Sequence, residues 1–198
     1  MAQIDYYFSV LSPFTYLAGL RLEETAAAHG AAIRYKPLDI VSLFGQTGGT
    51  PPKDRHPSRQ AYRLQEMKRG ALHAGLPMNM APAHWPTDPT PASHALIAAQ
   101  EAGFAVGPLA HAFLRAVWAQ DRNIAEPAVV SELLSANGVS ESVIAPHMAG
   151  AAAIYAKNLE DAVAGGVFGA PFYVVGEEMF WGADRIAHLG HHLAALKS

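Results

Sequence analysis

The N-terminal segment constrains the fold of this chain most, because it predicts a strand, a helix and a second strand in quick succession. Residues 4–10 are rich in aromatic and branched side chains, which is typical of a buried strand. Ser12 and Pro13 are favoured residues at a helix start, and they predict a helix over residues 13–29. Residues 32–35 then predict a second strand. Such a βαβ unit places its two strands in parallel within one sheet.

The C-terminal segment predicts two more strands and a last helix. Residues 172–175 and 178–181 flank Gly176 and Glu177, where glycine can supply the positive φ of a hairpin turn. A two-stranded hairpin is not stable alone, so we expect it to join the N-terminal strands in one four-stranded mixed sheet. A helix over residues 183–196 follows the hairpin.

The middle of the chain has a helical pattern, with a break expected near Gly150. Helices are predicted there over residues 58–74, 91–102, 108–120, 127–137 and 141–164. The predicted fold class is therefore α/β, a four-stranded mixed sheet with a large all-helical insertion. We expect residues 1–45 and 165–198 to form the sheet domain, and residues 46–164 to form the helical insertion domain.

Composition excludes several classes of function. The 198 residues include no cysteine, so disulfides and thiol redox chemistry by the protein itself are excluded, and any sulfur chemistry needs a small-molecule thiol. A net charge of -3 gives no reason to expect nucleic acid. The apolar runs are too short for a membrane span, and Asp5 interrupts the first one, so we expect no membrane partner, no secretory signal and a cytoplasmic location. His188 and His192 have chelating spacing, but no acidic or thiol partner accompanies them, so no metal site is predicted.

Three short segments could carry chemistry. Ser12 begins the first helix, Ala170 and Pro171 precede the third strand, and Asp184 lies in the first turn of the last helix. Each also has an ordinary structural explanation, as a helix cap, a strand-leading proline and an acid that complements the helix dipole. The bond between Ala170 and Pro171 can be cis, because cis peptides occur at X–Pro bonds.

Together these segments resemble one known family. Residues 6–17, which read YYFSVLSPFTYL, resemble the N-terminus of 2-hydroxychromene-2-carboxylate isomerases and kappa-class glutathione transferases. Those proteins belong to the thioredoxin-like superfamily, in the group of disulfide oxidoreductase A. Residues 166–172 resemble the cis-proline segment of the family, and residues 180–185 resemble its glutathione-carboxylate segment. The resemblance implies a thioredoxin-like four-stranded mixed sheet that carries the helical insertion.

The resemblance also implies glutathione as the cofactor and a role for each matched residue. Ser12 is the implied catalytic residue, which hydrogen-bonds the glutathione thiolate. The backbone of Ala170, before Pro171, is implied to pair with the cysteinyl group. Asp184 is implied to receive the γ-glutamyl amino group.

The chain departs from the family pattern at two positions. Ala183 stands where relatives often hold Ser or Asn, so only its backbone N–H remains to contact the γ-glutamyl carboxylate, and Arg185 is a further candidate for charge balance. Gly49 stands where relatives often hold Asn, so that amide is absent. Nothing in the sequence chooses among the basic residues that could contact glutathione or an acidic substrate in its place: Lys53, Arg55 and Arg59.

Residues 82–89 resemble the substrate-side wall of the family, with Trp85 and Asp88 as candidate substrate residues, although packing and turn roles explain them equally well. The resemblance implies a glutathione-dependent isomerase of aromatic degradation, which uses reversible thiolate addition, ring opening, bond rotation and elimination. It implies a small aromatic substrate and a homodimer. A kappa-like glutathione transferase and a non-catalytic thioredoxin-like binding module remain open as alternatives.

Overall fold

A four-stranded sheet is the central element of the computed structural model, which describes residues 1–197. Its strands are β1 (Gln3–Phe8), β2 (Ala32–Pro37), β3 (Phe172–Val175) and β4 (Glu178–Trp181), in the order β2-β1-β3-β4. Strands β1 and β2 are parallel, whereas β3 runs antiparallel to both β1 and β4. The C-terminal hairpin therefore joins the N-terminal strands, and the predicted mixed sheet is confirmed.

Helices surround this sheet, and the predicted helical block is confirmed. Within residues 1–197 they are α1 (Pro13–Ala18), α2 (Arg21–His29), α3 (Ile40–Thr47), α4 (Pro57–Ala74), α5 (Thr90–Glu101), α6 (Gly107–Ala119), α7 (Pro127–Ala136), α8 (Glu141–Ala164) and α9 (Ile186–Ala195). Short 3₁₀ turns lie at Pro52–Asp54 and Ala183–Arg185. None of these helices is long and apolar enough to cross a membrane.

The first predicted helix, over residues 13–29, is wrong in its length. Gly19 adopts a φ of 58°, which ends α1, and α2 starts afresh after Leu20. Glycine takes a positive φ without steric cost, so it permits this sharp change of direction. The dipole behind Ser12 is therefore that of a six-residue helix.

Three further helix predictions need correction. Helix α8 is not broken near Gly150, because one glycine costs a helix only about 1 kcal/mol and α8 packs extensively against α5. Helix α3 was not predicted, although the carboxylate of Asp39 caps it by accepting the N–H groups of Val41 and Ser42. The helix predicted over 183–196 is a 3₁₀ turn followed by α9.

One hydrophobic core connects the sheet to the helices. Ile4 and Phe8 on β1 belong to the same buried cluster as Phe113 and Trp118 on α6. A smaller cluster lies on the opposite face of the sheet, where Tyr7 packs with residues of α3 and α8. Because side chains alternate along β1, successive residues of this strand point into the clusters on the two faces of the sheet.

Candidate active site

Ser12 lies in the turn between β1 and α1, where it is partly exposed. Its hydroxyl oxygen accepts the N–H of Thr15 at 3.2 Å, and its hydroxyl donates to the carbonyl of Ala170 at 3.3 Å. Pro13 at the first helical position has no N–H, and the N–H of Phe14 has no hydrogen-bond partner within residues 1–197. The start of α1 therefore presents one hydroxyl and one free N–H.

The segment before β3 reaches Ser12 directly. The peptide bond between Ala170 and Pro171 is cis. The carbonyl of Pro171 accepts the N–H of Gly182 at 3.0 Å, which ties this segment to the 3₁₀ turn at Ala183. The structure thus brings together the three segments that the sequence singled out.

The predicted γ-glutamyl contacts lie beyond Gly182. The carboxylate of Asp184 folds against Gly182 so closely that a Cβ there would lie 2.6 Å from Oδ1. Asp184 and Arg185 form an exposed ion pair of 2.9 Å. The N–H of Ala183 makes no hydrogen bond in the part of the chain that the structure describes. The group therefore offers an accessible carboxylate, an accessible guanidinium and a free N–H, while the ligand roles of these residues remain predictions.

Trp85 contacts the turn that carries Ser12. Its indole N–H donates to the carbonyl of Leu11 at 3.0 Å, and its ring centroid lies 5.5 Å from that of the buried Trp118. The guanidinium carbon of Arg63 lies 5.4 Å from the Trp85 ring centroid. Trp85 is therefore an anchored side chain beside the candidate site.

Asp88, the second candidate on the substrate side, lies two residues before α5. Its carboxylate accepts the N–H of Thr90 at 2.9 Å. Hydrogen bonds from the side chain and the backbone of Thr90 hold the pKa of Asp88 below its usual value. This contact gives Asp88 a turn role, and its contact with a substrate remains a prediction.

A group of arginines borders the site, and sequence reasoning missed Arg63 among them. Arg55 donates from Nε to the carbonyl of Thr50 at 2.7 Å, and burial together with the charge of Arg59 lowers its pKa. Burial and the charge of Arg55 lower the pKa of Arg63. The only sequence signal for Arg63 was its spacing of four residues from Arg59, which places both on one helix face. Lys53 is exposed in the 3₁₀ turn Pro52–Asp54.

The fold and this site define a class of protein. A thioredoxin-like sheet carries a helical insertion, and a serine at the start of the first helix faces a cis-proline segment. No group of three or more histidine, aspartate and glutamate side chains that could hold a metal ion occurs in residues 1–197. The family model of the DSBA-like thioredoxin domain matches residues 3–194, and the chain belongs to that family.

Similar proteins narrow the family further, and the resemblance inferred from the sequence is confirmed. A 2-hydroxychromene-2-carboxylate isomerase of Pseudomonas putida is 30% identical over 191 residues, which cover 92% of this chain and 90% of the relative. A solved structure of a 2-hydroxychromene-2-carboxylate isomerase has a TM-score of 0.77 at 27% identity and covers 98% of this chain and 95% of that one. A glutathione S-transferase kappa 1 of Caenorhabditis elegans is 29% identical over 83 residues, 41% of this chain and 36% of the transferase.

Proposed function

We propose that this protein is a glutathione-dependent isomerase of the 2-hydroxychromene-2-carboxylate type, which acts as a cytoplasmic homodimer on a small aromatic substrate. The observation that carries the proposal is the contact between the Ser12 hydroxyl and the Ala170 carbonyl in a chain without cysteine. Such a site can bind and ionise a thiol but cannot supply one. The similarity to named isomerases over nearly the whole chain supports the same reaction.

The groups around Ser12 suit a γ-glutamyl tripeptide thiol. The Ser12 hydroxyl and the free N–H of Phe14 are donors for a sulfur anion. The carbonyl of Ala170 can accept the peptide N–H next to that sulfur. The exposed carboxylate of Asp184 can receive an ammonium group, and the N–H of Ala183 can donate to a carboxylate.

Bound glutathione supplies a sulfur nucleophile for reversible addition to the substrate, which permits ring opening, bond rotation and elimination. The task of Ser12 is to stabilise the anionic sulfur. Its oxygen can keep the N–H of Thr15 while its proton turns from Ala170 towards the sulfur.

The energy that these contacts supply can be compared with the energy that is needed to lower the pKa of the thiol. A thiol pKa of about 8.5 falls by about 2 units when the anion gains about 2.7 kcal/mol. A hydroxyl hydrogen bond to a charged group supplies about 1.5–3 kcal/mol. The dipole at the start of α1 acts through the unpaired N–H groups of its first turn, so the Ser12 hydroxyl and the Phe14 N–H together supply this stabilisation.

Two measurements test the proposal. We expect calorimetry to detect binding of glutathione, and absorbance to show turnover of 2-hydroxychromene-2-carboxylate only when glutathione is present. Ser12→Ala should lower that turnover about 10- to 100-fold, which is the kinetic equivalent of one hydrogen bond to a charged sulfur. Ser135→Ala, at an exposed position on α7, is the matched control and should keep wild-type activity. Absence of glutathione binding at millimolar concentration would contradict the proposal.

A kappa-type glutathione transferase is the second candidate, favoured by the similarity to the Caenorhabditis elegans protein. It would use Ser12 in the same way and differ in its substrate. Conjugation of chlorodinitrobenzene without turnover of the hydroxychromene carboxylate would favour this candidate. Binding of glutathione without either reaction would favour a non-catalytic binding module.

A further inference from the structure

Helix α4 lies against α1, and this packing brings a second helix to the candidate site. Gly70 on α4 approaches Leu17 on α1 so closely that a Cβ at Gly70 would lie 2.8 Å from the Leu17 Cδ1. Arg63 lies two turns before Gly70 on the same helix. Trp85 links α4 to the turn before α1, because its indole N–H donates to the Leu11 carbonyl and the Arg63 guanidinium lies over its ring. Arg63 is therefore held near the Ser12 end of α1.

Arg63 has no acidic partner among the residues that the structure describes. Within residues 1–197, ion pairs involve Lys36, Arg69, Arg122, Lys157 and Arg185, whereas neither Arg63 nor Arg55 has a carboxylate within ion-pair distance. Arg63 is also partly buried and lies near the like charge of Arg55. A partly desolvated cation beside a second cation is unfavourable until an anion compensates it.

We propose that Arg63 determines the specificity of the site for a substrate with a carboxylate. The Arg63 guanidinium, which lies over the Trp85 ring, binds the carboxylate of the aromatic substrate that reacts with the sulfur held by Ser12. The inference rests on the proposed function and identifies the residue that binds the carboxylate of its substrate. Arginine suits the task because its planar fork can bind both oxygens of a carboxylate. The contact with Trp85 restricts the guanidinium without neutralising its charge.

A binding experiment tests Arg63 without any turnover. The probes are trans-cinnamate, an aromatic carboxylate, and cinnamamide, its uncharged counterpart, each titrated by calorimetry into the full chain. We expect the wild-type protein to bind cinnamate at least about tenfold more tightly than cinnamamide, and Arg63→Gln to lose that preference. Arg69→Gln is the matched control, because Arg69 is exposed on the same helix and pairs with Glu66. It should keep the wild-type preference.

The same variants separate a carboxylate of the substrate from that of glutathione. We expect Arg63→Gln to leave glutathione affinity unchanged and, in the isomerase assay, to raise KM for the hydroxychromene carboxylate about tenfold with kcat within about twofold. A loss of glutathione affinity in place of cinnamate affinity would assign the contact to the glycyl carboxylate and overturn the substrate assignment.

Two further results would overturn the inference: an unchanged cinnamate preference in Arg63→Gln, or no preference in the wild-type protein. Far-ultraviolet circular dichroism checks that the variant is folded. If it is not, Arg63→Lys serves in its place, and it should reduce the preference because it keeps the charge but loses the planar fork. Because the cinnamate titration needs neither glutathione nor catalysis, a failed isomerase assay would leave its result interpretable.

Discussion

Ser12 is surrounded by groups that favour a negative charge on sulfur. The N–H of Phe14 has no hydrogen-bond partner within residues 1–197, and α1 begins at Pro13, the residue after Ser12, so the positive end of its dipole lies at Ser12. These groups act on any sulfur placed there, whether it belongs to a ligand or to the chain. Because the chain has no cysteine, this stabilisation can be measured on an introduced thiol, with no other thiol in the protein that would react with the reagent.

We therefore expect Ser12→Cys to carry a thiol with a pKa at least about one unit below ~8.5. The measurement is the rate of alkylation by iodoacetamide as a function of pH. Ala152→Cys, at an exposed position in the middle of α8, is the control and should titrate near the ordinary value. Equal pKa values for the two thiols would show that the surroundings of Ser12 do not stabilise an anion.

At the scale of elements, a side chain pairs with one residue on the open edge of β2. Gln100 on α5 accepts the N–H of Tyr35 at 2.9 Å and donates to the carbonyl of the same residue at 3.1 Å. Its amide thus replaces one residue of a neighbouring strand. An edge strand with unsatisfied backbone groups is a site for unwanted pairing, so this contact protects β2 as well as attaching α5 to the sheet.

Gln100→Ala should lower the free energy of unfolding by about 1–3 kcal/mol, because it leaves a partly buried N–H and carbonyl of Tyr35 without their partner. Urea denaturation followed by circular dichroism measures the change. Gln46→Ala, at an exposed position of α3, should change the stability by less than about 0.5 kcal/mol. A Gln100 variant as stable as this control would mean that the amide makes no net contribution.

Most of these elements could be predicted, and the two exceptions have separate causes. Strand and helix types follow from local spacing of apolar residues, which is why β1 and α5 were recognised. Helix α3 was missed because its sequence lies between a strand-ending proline and a glycine-rich loop. The continuity of α8 through Gly150 was missed because packing against α5 outweighs a local preference.

At the scale of the molecule, the sheet and the helical block share one buried cluster. Tyr6 on β1 and Leu96 on α5 belong to it, as does Trp118 on α6. The division of the chain into residues 46–164 and the remainder stays a prediction about domains. A shared core makes separate unfolding of the two parts unfavourable, because either part alone would expose apolar surface.

We therefore expect urea to unfold the protein in a single transition. Of the three tryptophans, Trp181 on β4 is already exposed, so fluorescence reports mainly on Trp85 and Trp118, which lie within residues 46–164. Far-ultraviolet circular dichroism reports on the whole backbone. Both signals should give the same midpoint. Two separated midpoints would show that the helical insertion and the sheet unfold independently.

Local sequence by itself determined the βαβ start, the C-terminal hairpin and Ser12 as a helix cap, because strand periodicity, turn chemistry and capping act over a few residues. The three candidate segments were also recognisable from sequence. Only the tertiary structure decided that the Ser12 hydroxyl meets Ala170, that Trp85 binds the Leu11 carbonyl and that Arg63 rests on Trp85. Such contacts join residues that are far apart in the chain. Whether two such residues meet depends on how whole elements pack, which no local pattern encodes.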